Sequence, residues 1–257
     1  MRTHRHHPAT APPTPPRPAP RPRISIIERH RLLVDGLEVV LRAEGFEVDP
    51  VDVADSELGD LQAPNGLDEL VAAACGGGPR LVLLALDLGG GVDGADLVAA
   101  LCRAGARVLV VTGIEDPARH DRAVAQGALA VLPKTMGLAD ILVALRRAAG
   151  GEDLMSPAER DAARRRDAVR APERRREVQG LRLLSPGESQ VLAHLVAGHS
   201  VGEIAARRRV RPSTVRAQVR AILVKLGVSS QLQAVAVAHR RSWQPPPDDW
   251  DATPTSA

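Results

Sequence analysis

Between Ile24 and Ala149 the apolar positions switch repeatedly between two periods. Short runs rich in Val, Ile and Leu read as strands: ISIIE at 24–28, FEVDPV at 46–51, LVLLAL at 81–86, RVLVVTG at 107–113 and ALAVLPK at 128–134. Alternating with them, residues 30–44, 67–74, 95–103, 118–126 and 138–149 carry apolar side chains at helical spacing. Five such units predict an α/β fold with a doubly wound, parallel five-stranded sheet. Helices cover both its faces, and its chemistry lies at the carboxyl ends of the strands. No Gly-x-Gly-x-x-Gly or Gly-x-x-x-x-Gly-Lys motif follows a strand, so the sheet has no cradle for nucleotide phosphates.

From 180 to 241 the pattern is helical throughout and predicts an all-α domain of four short helices. LSPGESQVLAHLVAG opens with Ser185, Pro186 and Glu188, a capping box with proline at the first position, and Gly198 closes it. Ser200 and Glu203 form a second box in SVGEIAARRRV. A third helix begins at Pro212, presents Val215, Val219, Ile222, Leu223 and Leu226 on one side, and stops at Gly227; SSQLQAVAVAHR supplies the fourth. Residues 1–23 and 242–257 are Pro-rich and polar and read as disordered tails, and 151–179 mixes both charge signs without an apolar face, the signature of a solvated, partly helical linker.

Charge separates the two folded pieces. Residues 24–150 hold 11 basic and 19 acidic side chains, a balance of −8, whereas 180–241 hold 10 and 2, a balance of +8. The small basic piece is therefore the one suited to a polyanion. Aromatic residues are only 1% of the chain, which leaves little material for stacking on bases or sugars. Cys75 and Cys102 form no metal-ligand or disulfide pattern, and no apolar run is long enough to span a bilayer. The reading is of a cytoplasmic protein without a cofactor and without a membrane partner.

The first piece resembles the receiver domain of two-component response regulators, in the group with a LuxR-type (NarL/FixJ-like) output. The family follows its first strand with two acids and a histidine ahead of Leu-x-x-x-Gly-Leu; here stand Glu28, Arg29 and His30, then LLVDGL. Its hydroxyl residue matches Thr112, its lysine matches Lys134, and its phosphoryl-accepting aspartate aligns with Ala85. A stretch at 55–66, DSELGDLQAPNG, is longer than the family's usual connection. The resemblance therefore implies a degenerate receiver. Phosphoryl transfer needs an oxygen nucleophile where Ala85 has a methyl group, and a magnesium ion needs acidic ligands of which Glu28 alone persists. Arg29 is expected to pair with Glu28 or Asp87 and to replace the cation's charge. Asp87 lies two residues, roughly 6.6 Å, beyond Ala85, as a capping or solvated loop acid or as a displaced acceptor.

The second piece resembles the LuxR-type helix-turn-helix over about sixty residues, with Glu188, EIA at 203–205, TVR at 214–216 and KLGV at 225–228 in the family's order. Arg211 replaces the usual capping serine and Gln218 the usual histidine. In this motif the second helix enters the major groove. The resemblance assigns Arg216 and Arg220 to base edges or flanking phosphates, Ala217 to close contact with a base, and Arg211, Thr214 and Lys225 to phosphates; the run Arg207–Arg209 near the turn suits nonspecific backbone attraction. Together these readings imply a non-enzymatic transcriptional regulator of double-stranded DNA, dimeric through Leu232 and Val235 or a receiver surface, and controlled without phosphorylation. Two alternatives remain: a regulator phosphorylated on Asp87, or a receiver that docks a protein or metabolite.

Overall fold

The computed structural model describes residues 21–53, 66–77, 80–89, 92–241 and 243–245. Most of both expected tails and all but the last residue of the 55–66 stretch lie outside them. Strands β1 (Arg23–Glu28), β2 (Glu47–Asp52), β3 (Leu81–Leu84), β4 (Arg107–Thr112) and β5 (Val131–Pro133) form one all-parallel sheet in the order β2-β1-β3-β4-β5. The chain leaves β1 toward β2 on one side, then returns to build β3, β4 and β5 on the other. That reversal opens a crevice at the carboxyl ends of β1 and β3.

Strand alternation explains the two cores. On one face Ile24, Ile26, Leu81, Leu83, Leu109 and Val111 pack with α1 (Arg31–Ala43) and α5 (Leu138–Ala149) through Leu37, Leu41, Ile141 and Leu145. On the other, Ile27, Val82, Leu84, Val108 and Val110 meet α2 (Gly66–Cys75), α3 (Val98–Arg103) and α4 (Pro117–Ala125) through Leu70, Leu101 and Ala123. Side chains on successive strand residues point to opposite faces, so a continuous apolar run such as Leu81–Leu84 feeds both cores. The helix expected over 95–103 is split: a 3-10 turn at Gly94–Asp96, capped by Asp93, precedes a six-residue α3.

The stretch expected as a solvated, partly helical linker is helical almost throughout and is packed rather than solvated along one side. Residues Pro157–Arg182 form one 26-residue helix, α6, started by a capping box of Ser156 and Glu159 and running through Pro172. It lies against α4, where Arg166 and Arg170 both hold the buried Asp121 at 2.6 and 2.8 Å. Further along α6, buried Glu177 holds Arg240 and Arg241 at 2.6 and 2.5 Å. These contacts are ionic, which is why no apolar periodicity announced them.

The helical domain follows as α7 (Pro186–Val196), α8 (Val201–Arg207), α9 (Pro212–Leu226) and α10 (Gln231–Arg240). Its core joins Val191, Leu192, Ile204, Val215, Val219, Ile222 and Val237, with Leu181 from the end of α6 and Trp243 from the segment expected to be a disordered tail. The Trp243 backbone N–H donates to the Ala238 carbonyl at 2.9 Å, which extends the domain past α10. Among the described residues no single helix is long and apolar enough to cross a membrane.

Candidate nucleic-acid interface and receiver site

At the carboxyl edge of the sheet Glu28 ends β1, Ala85 follows β3, Thr112 ends β4 and Lys134 follows β5. Lys134 Nζ lies 2.6 Å from Glu28 Oε2, and His30 donates its backbone N–H to Glu28 Oε1 at 2.9 Å, with its ring against the same oxygen. Burial pushes the Glu28 carboxyl up, but the Lys134 and His30 hydrogen bonds outweigh it and hold the group below its ordinary value. Arg29 does not reach Glu28 as one expectation had it. It pairs with Asp87 at 2.9 Å, both side chains being about half exposed. Asp87 also accepts the Gly89 N–H at 3.2 Å, a loop-capping role.

Ala85 is buried and hydrogen-bonded to the Ile27 carbonyl, with Leu86 and Leu88 in the core beside it. The backbone of Gly94 lies so close that a Cβ there would sit 2.0 Å from the Ala85 carbonyl oxygen. The loop after β3 is therefore folded down onto Ala85. Thr112, also buried, accepts the Ile114 N–H at 3.0 Å, as a scaffold hydroxyl does.

In the helical domain α8 and α9 meet across a turn in which Arg209 adopts φ +52°, a left-handed conformation unusual for a side chain with a Cβ. The Val210 N–H donates back to the Ala205 carbonyl at 3.0 Å and closes α8. Arg211 occupies the cap of α9 without a side-chain bond, and Pro212 begins the helix. Arg211, Thr214, Arg216, Ala217 and Arg220 are all exposed, and Ser213, Arg216, Ala217, Arg220 and Val224 share the side of α9 opposite buried Val215, Val219, Ile222 and Leu226.

Lys225 is not with them. Its Nζ lies 2.6 Å from Glu188 Oε2 and 2.9 Å from the Leu183 carbonyl, tying α9 to α7 and to the end of α6. Burial raises Glu188, but Lys225 and the Ser185 cap outweigh it and hold the carboxyl below its usual value. Arg208, expected with its neighbours near a phosphate backbone, instead donates to the Gln218 and Gln190 side-chain oxygens at 2.9 and 3.1 Å and to the Gly187 carbonyl. Gln218 thus serves as the acceptor that fixes the turn. Neither the Arg208 clamp nor Lys225–Glu188 has a local spacing signal, since the partners lie 10 and 37 residues apart.

Residues 182–238 match the family model of bacterial regulatory proteins, luxR family. Over 157 residues the chain is 34% identical to the probable transcriptional regulatory protein NarL of Mycobacterium tuberculosis (strain ATCC 25618 / H37Rv), covering 59% of this chain and 68% of that protein. The chain belongs to this family of response regulators. It combines a receiver-like sheet with a DNA-binding, LuxR-type helix-turn-helix output, as expected from its motifs. The transcriptional regulatory protein LiaR of Bacillus subtilis (strain 168) is 28% identical over 225 residues, 85% of this chain and 97% of that one. Among solved structures, full-length FixJ from B. japonicum aligns over 87% of this chain and 98% of its own, at 22% identity and a TM-score of 0.40.

Proposed function

We propose that this response regulator reads duplex DNA through Arg216, Ala217 and Arg220 and that its receiver acts without a phosphoryl switch. One observation carries the second half: among the described side chains at the crevice, Glu28 is committed to Lys134 and Asp87 to Arg29, around a third-strand end that offers only the buried methyl of Ala85. The donors do not fit a divalent cation. A hard ion needs several charged oxygens free of competing partners, and here an ammonium and a guanidinium stand against them. The pairs supply by themselves the positive charge that a cation would bring.

Exposure supports the DNA assignment, because Arg216, Ala217 and Arg220 lie on one open side of α9 at spacings of one, three and four residues. Arg211 and Thr214, at the amino end of the same helix, suit phosphates. Lys225 is reassigned from a phosphate contact to holding the domain together, since its ammonium is committed to Glu188 and Leu183. Regulation then rests on assembly. Leu232, with a relative exposure of 79% at the start of α10, offers an apolar contact for a second copy, and two linked output domains on paired half-sites gain affinity through effective concentration.

The test is binding to the chain's own genomic sites, recovered by footprinting, with and without acetyl phosphate and magnesium, for the wild type and Asp87→Asn. Coincident titrations and an unchanged intact mass are expected. A donor-dependent shift abolished by Asp87→Asn would overturn the reading in favour of a displaced acceptor. A second reading, a receiver that docks a metabolite, rests on a cavity of about 520 Å³ in which Arg29, Asp87 and Gly89 face Ala193, Val196, Ala238, His239 and Trp243 of the output domain. Its size and mixed lining suit a small molecule held between domains.

A further inference from the structure

The α6 helix is rich in arginine, and its arginines divide into two sets. Arg166, Arg170 and Arg174 are committed to Asp121 and Asp167, Arg164 pairs with Asp161, and Arg160 donates to the Ala128 and Leu129 carbonyls. Arg165, Arg175, Arg176 and Arg182 are exposed and have no ion-pair or hydrogen-bond partner among the described residues. Four unpaired guanidinium groups on one exposed arc of a helix outnumber the exposed Glu173 nearby and leave a net positive local potential. Their position relative to the output domain is fixed. Gly180 of α6 approaches the end of α9 so closely that a Cβ would sit 2.4 Å from the Lys225 carbonyl oxygen, and Lys225, Glu177 and Leu181 each bind the same region of α6 to α9 or α10.

A groove of about 1120 Å³ runs between α6 and the end of α9, with Arg176, Gln179 and Leu183 on one wall and Val224 on the other. Val224 belongs to the exposed stripe of α9 that begins at Ser213 and includes Arg216 and Arg220. Arg176 therefore continues the side of the molecule that faces DNA, and Arg175 and Arg182 stand beside it over roughly 10 Å of helix rise. We infer that α6 is a second DNA-contacting element, whose Arg175, Arg176 and Arg182 bind phosphates flanking the segment read by α9. The contact is to the backbone of duplex DNA and carries no sequence information. This inference rests on α9 being the recognition helix and extends the footprint beyond it.

Salt dependence separates the two. Binding of the full chain to random-sequence duplexes of about 16 and about 36 base pairs is followed by fluorescence anisotropy across 50–200 mM KCl. Each phosphate contact contributes about 0.9 to the slope of log affinity against log salt, so replacing Arg175, Arg176 and Arg182 with Gln should lower the slope on the longer duplex by about 2–3. With three contacts gone, the fourfold rise in salt should cost about 40-fold less affinity than it costs the wild type. The effect should shrink on the shorter duplex. The corresponding triple Lys variant, which keeps the charge, should retain the wild-type slope, and melting curves check that each variant folds.

An unchanged slope in the folded Gln variant overturns the inference, as does a wild type that binds the two lengths with equal slope. Failure of the underlying reading looks different: Arg216→Ala and Arg220→Gln would leave affinity for the genomic site untouched whatever the α6 variants do.

Discussion

Replacing Gly180 with alanine sets the preference of a helix against its packing. Alanine in place of glycine within a helix is favourable by about 1 kcal/mol, less near a helix end, and Gly180 is two residues from the end of α6. Against this, the added Cβ would lie 2.4 Å from the Lys225 carbonyl oxygen and 3.0 Å from Leu226 Cα, both backbone atoms that cannot swing away. Overpacking of this kind costs about 1–3 kcal/mol, so with a propensity gain of about 0.5 kcal/mol near the helix end the net expectation is a loss of about 0.5–2.5 kcal/mol. Gly36 in α1 provides the opposite case, exposed with nothing within 4 Å of its Cβ position, and Gly36→Ala should gain about 0.5–1 kcal/mol. Thermal unfolding of the full chain, with separate probes for the two domains, reads both, at roughly 2–4 °C per kcal/mol. A rise in melting temperature for Gly180→Ala equal to that for Gly36→Ala would refute the tight seating of α6 on α9, and with it the fixed placement of the α6 arginines.

Lys225→Met should lower the stability of the output domain by about 1–3 kcal/mol, because it leaves buried Glu188 without its ammonium, yet leave DNA affinity of the folded protein near wild type. Arg216→Ala should do the reverse, weakening binding to the genomic site by about 1–3 kcal/mol without moving the melting temperature. Glu28, Asp121 and Glu188 all have carboxyls held below their ordinary values, so each contributes stability above its unfolded value, about 3.9–4.3, that is lost as pH falls through the lower folded value. Urea midpoints should therefore be flat from about pH 7 to 5 and fall below about pH 4, with Asp121→Asn flattening that acid limb. Arg209→Gly should raise the melting temperature, since a residue with a Cβ pays about 1–2 kcal/mol for the left-handed turn, partly offset by the greater chain entropy of glycine. A fall in melting temperature would mean that the Arg209 side chain holds the turn.

Local pattern was enough for most of the architecture. Strand alternation at Ile24–Ile27 and Leu81–Leu84, the capping boxes at Ser185 and Ser200 and the stop at Gly227 are short-range signals, and each appears in the structure where the pattern put it. The pairing of Arg29 with Asp87 was one of two options once the family resemblance placed a guanidinium where the cation would sit; the choice between Glu28 and Asp87 was made by Lys134, which takes Glu28 from the far end of the sheet. Residues 151–179 show the limit. Their charges alternate without an apolar stripe, so by themselves they read as solvated, and only the folded chain brings Asp121 to Arg166 and Arg170, and Glu177 to Arg240 and Arg241, across 45 to 64 residues. The same holds for Lys225, which the family pattern assigned to a phosphate and tertiary packing gave to Glu188. Hydrophobic period and capping act within a few residues and are written in the sequence, whereas the partner of a buried charge is whichever opposite charge the fold delivers within about 3 Å.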